Sequence, residues 1–157
     1  MFDYYAMPDC WPGRIQSKSL PWHERGTYLE TQLTQDIVTS MSSSFNSKQF
    51  IPYVQMHEFE ALMFANTLEL ANTIAQLNNL LPQKLHIALQ AIVDQAGSPE
   101  AINDSYETCP SRRITSFVPA YKKRLHGPII SKRIGIDQLR ITCSNFGQWL
   151  SRLEKIA

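Results

Sequence analysis

The stretch MFDYYAMPDCWPGR, residues 1–14, decides how the rest of the chain is read. Phe2, Tyr4 and Tyr5 favour an extended backbone, and Pro8, Asp9, Pro12 and Gly13 break the chain directly after them. FDYY is therefore expected to form a short strand that delivers into a loop. An apolar strand of this kind is usually a central one, so an element preceding it is expected. Asp3 lies inside that strand, where a carboxylate is costly to bury unless a donor or a metal compensates it. In open α/β sheets functional side chains gather at the carboxyl ends of strands. Asp3 is thus either a ligand at the sheet edge or a surface acid on a frayed strand.

Working outward, Leu29, Leu33 and Ile37 recur at helical spacing and predict a helix from about Glu24 to Met41. SMSSSFNSK, residues 40–48, reads as a flexible loop. QFIPYVQ, residues 49–55, is a second strand, with Pro52 pointing to a sheet edge or bulge. A helix is expected to begin near His57. Leu85, Ala88, Leu89, Ile92, Val93 and Ala96 make the stripe of a helix from Pro82 to Ala96, stopped by Gly97. Ser98, Pro99 and Glu100 then carry the cap, first-residue and first-turn signals of a short helix. Phe146, Trp149, Leu150 and Leu153 predict a last helix. The expectation is one α/β domain over residues 1–157, with a parallel sheet, flanking helices and a helix-rich C-terminal half.

The 43% apolar content suits a globular chain, no apolar run reaches membrane-spanning length, and no secretory leader is visible, so a cytoplasmic protein is expected. The 3 cysteines, at 10, 109 and 143, are unpaired in spacing and read as reduced core thiols. The net charge of +1 hides an uneven distribution. Arg112, Arg113, Lys122, Lys123, Arg124, Lys132 and Arg133 are nearly half of the 15 basic residues and enclose no acid. Such a window is either an anion-binding face or a solvated loop.

Two further stretches carry candidate chemistry. In QMHEFEALMF, residues 55–64, His57 and Glu60 are three apart and would share a helix face, a spacing used in carboxylate metal sites. Glu58 suits a first-turn acid, whereas Glu60 is surrounded in sequence by apolar residues. In the basic window, arginines suit bidentate phosphate contacts, and Tyr106 and Tyr121 suit either stacking on bases or burial. His126 sits before Gly127 and Pro128, in a shaped loop or a plain turn. No GxGxxG, P-loop or GxSxG pattern occurs, which leaves dinucleotide, Walker-type and serine-hydrolase readings without support.

Taken together, FDYYAMPDCWPG, FIPYVQMHEFEALMF, SPEAIND, ETCPSRRI, YKKRLHGP, IGIDQLR and CSNFGQWLSRLE resemble a bacterial domain-of-unknown-function family related to the Toprim fold. The resemblance spans essentially the whole chain. It implies a Toprim-like parallel sheet lacking a preceding strand with a GxxE-like motif, so the chain reads as an N-terminally truncated domain. It implies Asp3 as the acid of a DxD-type strand, although Tyr5 stands at the second acidic position. By the same resemblance Glu60 is the later metal-binding acid, with Glu58 and His57 as second choices. The implied cofactor is Mg²⁺, or Mn²⁺, and the implied activity is nuclease or related phosphotransfer chemistry, in phage defence and with an ABC- or AAA-type ATPase partner. Arg112, Arg113, Lys122, Lys123, Arg124, His126, Lys132 and Arg133 would then face DNA or RNA. The alternative is a non-catalytic module, or an inactive fragment, that binds nucleic acid or a partner protein.

Overall fold

The computed structural model describes residues 1–41, 43–102 and 108–156, and it divides into two compact units. The first comprises residues 1–56 and 148–157, and the second residues 57–147. The described chain is mostly helical, with one small parallel sheet, so the expected α/β character is present but the helices dominate.

In the first unit, β1 (Phe2–Asp3) pairs in parallel with β2 (Val54–Gln55), with Phe2 opposite Val54 and Asp3 opposite Gln55. Parallel neighbours need a crossover rather than a hairpin. Here it runs through α1 (Arg14–Ser17) and α2 (Trp22–Ser40). Leu29 and Leu33 turn inward from α2, as their spacing predicts, and pack with Tyr4, Met7, Val54 and Met56. Gly26 permits the close approach, since a Cβ there would stand 3.3 Å from the Val54 carbonyl oxygen. Both strands are shorter than predicted. Tyr4–Ala6 turns into a 3₁₀ segment because Asp3 accepts the Tyr5 N–H at 2.9 Å and bends the chain early. Residues 49–52 lie outside the ladder, with a 3₁₀ turn at Ser47–Gln49 and Pro52 following it, whereas the Tyr53 carbonyl accepts the Phe2 N–H at 2.8 Å. The Tyr53 ring stacks on Trp149, whose indole N–H donates to the Ile51 carbonyl.

The second unit is helical throughout its described residues. It holds α3 (Glu60–Met63), α4 (Thr67–Ile74), α5 (Pro82–Ala96), α6 (Pro110–Phe117), α7 (Lys123–Ile134), α8 (Ile136–Thr142) and the start of α9 (Ser144–Leu153). α5 has the predicted limits, with Pro82 opening it and Gly97 closing it at φ +82°. α4 packs on α5 and α7, and α3 packs on α6 and α7. Leu62, Met63, Phe64, Leu70, Ile74, Leu89, Ile114 and Ile130 are sealed from solvent in this core. Ser98 and Pro99 open a single 3₁₀ turn, Pro99–Ala101. Its buried Glu100 accepts the backbone N–H groups of Asn145 and Phe146 at 3.0 Å each and so caps α9. No described helix is long and apolar enough to cross a membrane.

Candidate acid–lysine site

α3 begins at Glu60, not near His57, and this changes what the HEFE stretch does. His57 precedes the helix, so the pair at 57 and 60 does not occupy one helical face; His57 is instead buried. Glu58 lies in the irregular lead-in, and Glu60 is the first helical residue, surrounded by the apolar side chains that flank it in sequence. Its carboxylate is wholly buried, and Lys123 Nζ stands 2.8 Å from its Oε2. The same ammonium lies 3.5 Å from Glu58 Oε1. Lys123 is the first residue of α7, where the helix dipole disfavours a cation, so the two acids offset an unfavourable placement.

The remaining lone pairs are also engaged. Glu58 Oε2 accepts the Ser111 backbone N–H at 2.8 Å and thereby caps the start of α6. Tyr121 donates its hydroxyl toward Glu60 Oε1 at 3.4 Å, and Met63 Sδ lies 3.6 Å from the same hydroxyl. Tyr121 also packs on the His126 ring at 5.6 Å between centroids. The Nδ1 of His126 accepts the Lys122 backbone N–H at 2.8 Å, so its proton in the neutral form sits on Nε2.

The charges follow this geometry. Burial raises the Glu58 pKa, but the Ser111 hydrogen bonds and the Lys123 charge outweigh it and hold the carboxyl below its ordinary value. Burial likewise pulls Lys123 down, and the Glu60 and Glu58 carboxylates more than reverse that, leaving its ammonium above its usual range. Burial, then the Glu60 charge, pushes the Tyr121 phenol up. At neutral pH Glu58 is therefore a carboxylate, Lys123 an ammonium and Tyr121 a phenol.

This arrangement does not fit an octahedral Mg²⁺ centre. Among the described residues no three His, Cys, Asp or Glu side chains gather as a metal-holding group. Mg²⁺ keeps several of its waters when it binds, whereas Glu60 is sealed and Lys123 already stands between the two carboxylates. Asp3 belongs to the other unit, is exposed, and uses Oδ1 to cap its own turn.

The basic window divides into held and open cations. Lys123 is committed to the acids, Arg113 donates Nε to the Thr108 carbonyl, and Arg133 donates to Thr73 Oγ1. Arg112 is exposed on α6. Lys122 at the α7 cap, with Arg124 and Lys132 on α7 itself, are exposed and have no ion-pair partner among the described residues. Arg124, Pro128 and Lys132 follow at four-residue spacing on the outward face, while His126, Gly127, Ile130 and Ile134 face the core. Tyr106 lies outside the described residues. The residues that sequence reasoning undervalued are Ser111 and Tyr121, which complete the shells of Glu58 and Glu60.

The chain belongs to a family described as a domain of unknown function, DUF4276, whose family model matches residues 1–154. No curated protein and no solved structure matches it.

Proposed function

We propose that the second unit is a polyanion-binding module that holds the phosphate backbone of DNA or RNA on the outward face of α7 and the adjacent end of α6. The observation that carries this reading is the set of exposed cations without acidic partners among the described residues, Lys122, Arg124 and Lys132, in a stretch of sequence with no Asp or Glu from Pro110 to Ile136. Backbone phosphates are bound through such charges, with release of counterions and little sequence preference. Under this reading the acid–lysine cluster is a positioning device. Glu58 and Glu60 anchor Lys123 and the α6 start, so α7 presents its remaining cations at fixed spacing.

Filter binding of a short duplex and a single strand over a salt series tests it. Affinity is expected to fall steeply with salt, and each of Lys122→Gln, Arg124→Gln and Lys132→Gln is expected to reduce the log–log slope by about 1. A flat salt response, or slopes unchanged in all three variants, refutes the reading.

A second reading is a Toprim-type, Mg²⁺- or Mn²⁺-dependent nuclease working with an ATPase partner. One observation favours it, namely that two carboxylates of one short segment converge on a single cation position, which a metal would take only by displacing the half-exposed Lys123 side chain that fills it. Metal-dependent cleavage that Glu60→Gln abolishes while nucleic-acid affinity persists would establish this reading over the first.

A further inference from the structure

A second cationic feature lies in the first unit, built from residues that neither reading above uses. Arg14 is 6% exposed, yet no carboxylate among the described residues lies within ion-pair distance of it. Its guanidinium sits 4.0 Å above the Tyr4 ring. Its Nε reaches the Met7 carbonyl at 3.4 Å, and its Nη1 is buried with no hydrogen-bond partner. The Arg25 guanidinium lies 5.8 Å from the same ring centroid. It too has no acid at ion-pair distance among the described residues, and its Nε and Nη2 donate to the Leu20 and Lys18 carbonyls.

Buried arginines are ordinarily paired, because an unpaired cation and an unmet donor both oppose folding. Several acids of this unit are committed elsewhere: Asp9 pairs with Lys18, Glu24 with His23 and Glu30 with Arg152, and Asp3 caps its own turn. The Tyr4 ring that carries both cations is itself fixed, since Ser17 Oγ donates to the Arg14 carbonyl and so accepts the Tyr4 hydroxyl at 3.3 Å. Two guanidiniums over one immobilised ring, with one donor unmet and no carboxylate among the described residues at ion-pair distance, although the Asp9 charge acts on Arg14 from farther off, match the recognition of an oxyanion with several acceptor oxygens. We infer that the first unit binds a phosphate group, free or as a terminal monoester, between Arg14 and Arg25. In this assignment the orphaned Nη1 of Arg14 is the inner donor, and the half-buried Arg25 supplies the outer donors.

The test is thermal denaturation of the full chain with inorganic phosphate, and separately with a nucleoside 5′-monophosphate, against chloride at matched ionic strength. A ligand bound only by the native state raises the melting temperature in a saturable way. A rise of several degrees is expected with at least one probe. A rise with both means that the phosphate group suffices; a rise with the monophosphate alone means that the ester is part of recognition. Arg14→Met and Arg25→Gln are each expected to abolish the rise while far-ultraviolet circular dichroism remains native. If Arg14→Met fails to fold, Arg25→Gln decides. No rise above chloride, or a rise that survives Arg25→Gln, overturns the inference. The triple variant Lys122→Gln, Arg124→Gln and Lys132→Gln is expected to keep the rise. Loss of the rise there would place the phosphate on α7 and also overturn the inference.

Discussion

Lys123 determines what Glu60 is. An acid at the start of a helix and set among apolar residues is costly to bury alone, and a single ammonium 2.8 Å away compensates it. Lys123→Met is therefore expected to destabilise the protein by about 1–3 kcal/mol, between the values for exposed and fully buried pairs because the lysine side chain is half exposed. Chemical denaturation of the single variants and of the double variant with Glu60→Gln checks this, the double variant recovering part of the loss. Glu58 gives a pH signature. Its pKa is depressed in the folded state, so its contribution is present above the unfolded value of about 4.5 and is lost as pH falls through the lower folded value. Glu58→Gln is expected to lower the melting temperature at pH 7 and to flatten its fall in acid. Among the thiols, burial, then the Glu100 charge, pushes Cys143 up to about 12, and Cys109 is also buried, whereas Cys10 is exposed. A disulfide reagent at pH 8 is expected to modify one thiol quickly in the native protein and all 3 in denaturant. Sequence alone exposed Glu60 as anomalous, because an acid among Phe59, Ala61, Leu62 and Met63 has no amphipathic excuse. Its partner was hidden: Lys123 is 63 positions away, and in the sequence it is one of several equivalent cations.

Where helical spacing and end signals coincide, the elements were readable. α5 combines a wide apolar stripe with Pro82 before it and Gly97 after it, and local forces alone set both ends. α3 was not readable at its start, because His57 to Phe59 are held by tertiary burial and by the Ser111 contact rather than by helical hydrogen bonds. The strands were recognised and overextended for a related reason, since Asp3 bends the chain at Tyr5 with a side-chain bond that strand propensity does not contain. α9 shows the same limit. Its spacing was visible, but its cap comes from Glu100, which also receives the Ser144 hydroxyl at 3.4 Å. Glu100→Ala removes an acceptor for two helix-end N–H groups and is expected to cost about 1–3 kcal/mol, measured by urea denaturation. Gly147 adds a steric condition, for a Cβ there would stand 2.5 Å from the Arg140 carbonyl oxygen. Gly147→Ala is accordingly expected to loosen the α8–α9 turn, seen as faster amide exchange at Cys143 and Gly147.

At the scale of the molecule, length and composition correctly indicated a globular chain with a sizeable core, and they could not indicate its division. The division is invisible in sequence because the first unit is discontinuous: residues 1–56 are completed by residues 148–157. Trp149 stacks on Tyr53 at 5.1 Å, and Arg152 pairs with Glu30 at 2.8 Å. Ending the chain at Gly147 is expected to strip amide-exchange protection from residues 1–56 while residues 57–142 keep most of theirs. The expected parallel sheet is thus present as two short strands in one unit, with the residues of the larger helical unit lying in sequence between β2 and the closing residues.

That closing segment also imposes a timetable on synthesis. Glu30 and Tyr53 leave the ribosome about a hundred residues before Arg152 and Trp149, the partners that complete them. The segment before β2 consequently waits for residues 148–153, which meet the Ile51 and Pro52 carbonyls and the Tyr53 ring. A nascent protein stalled near residue 147 would offer a chaperone the Tyr53 ring and those two carbonyls.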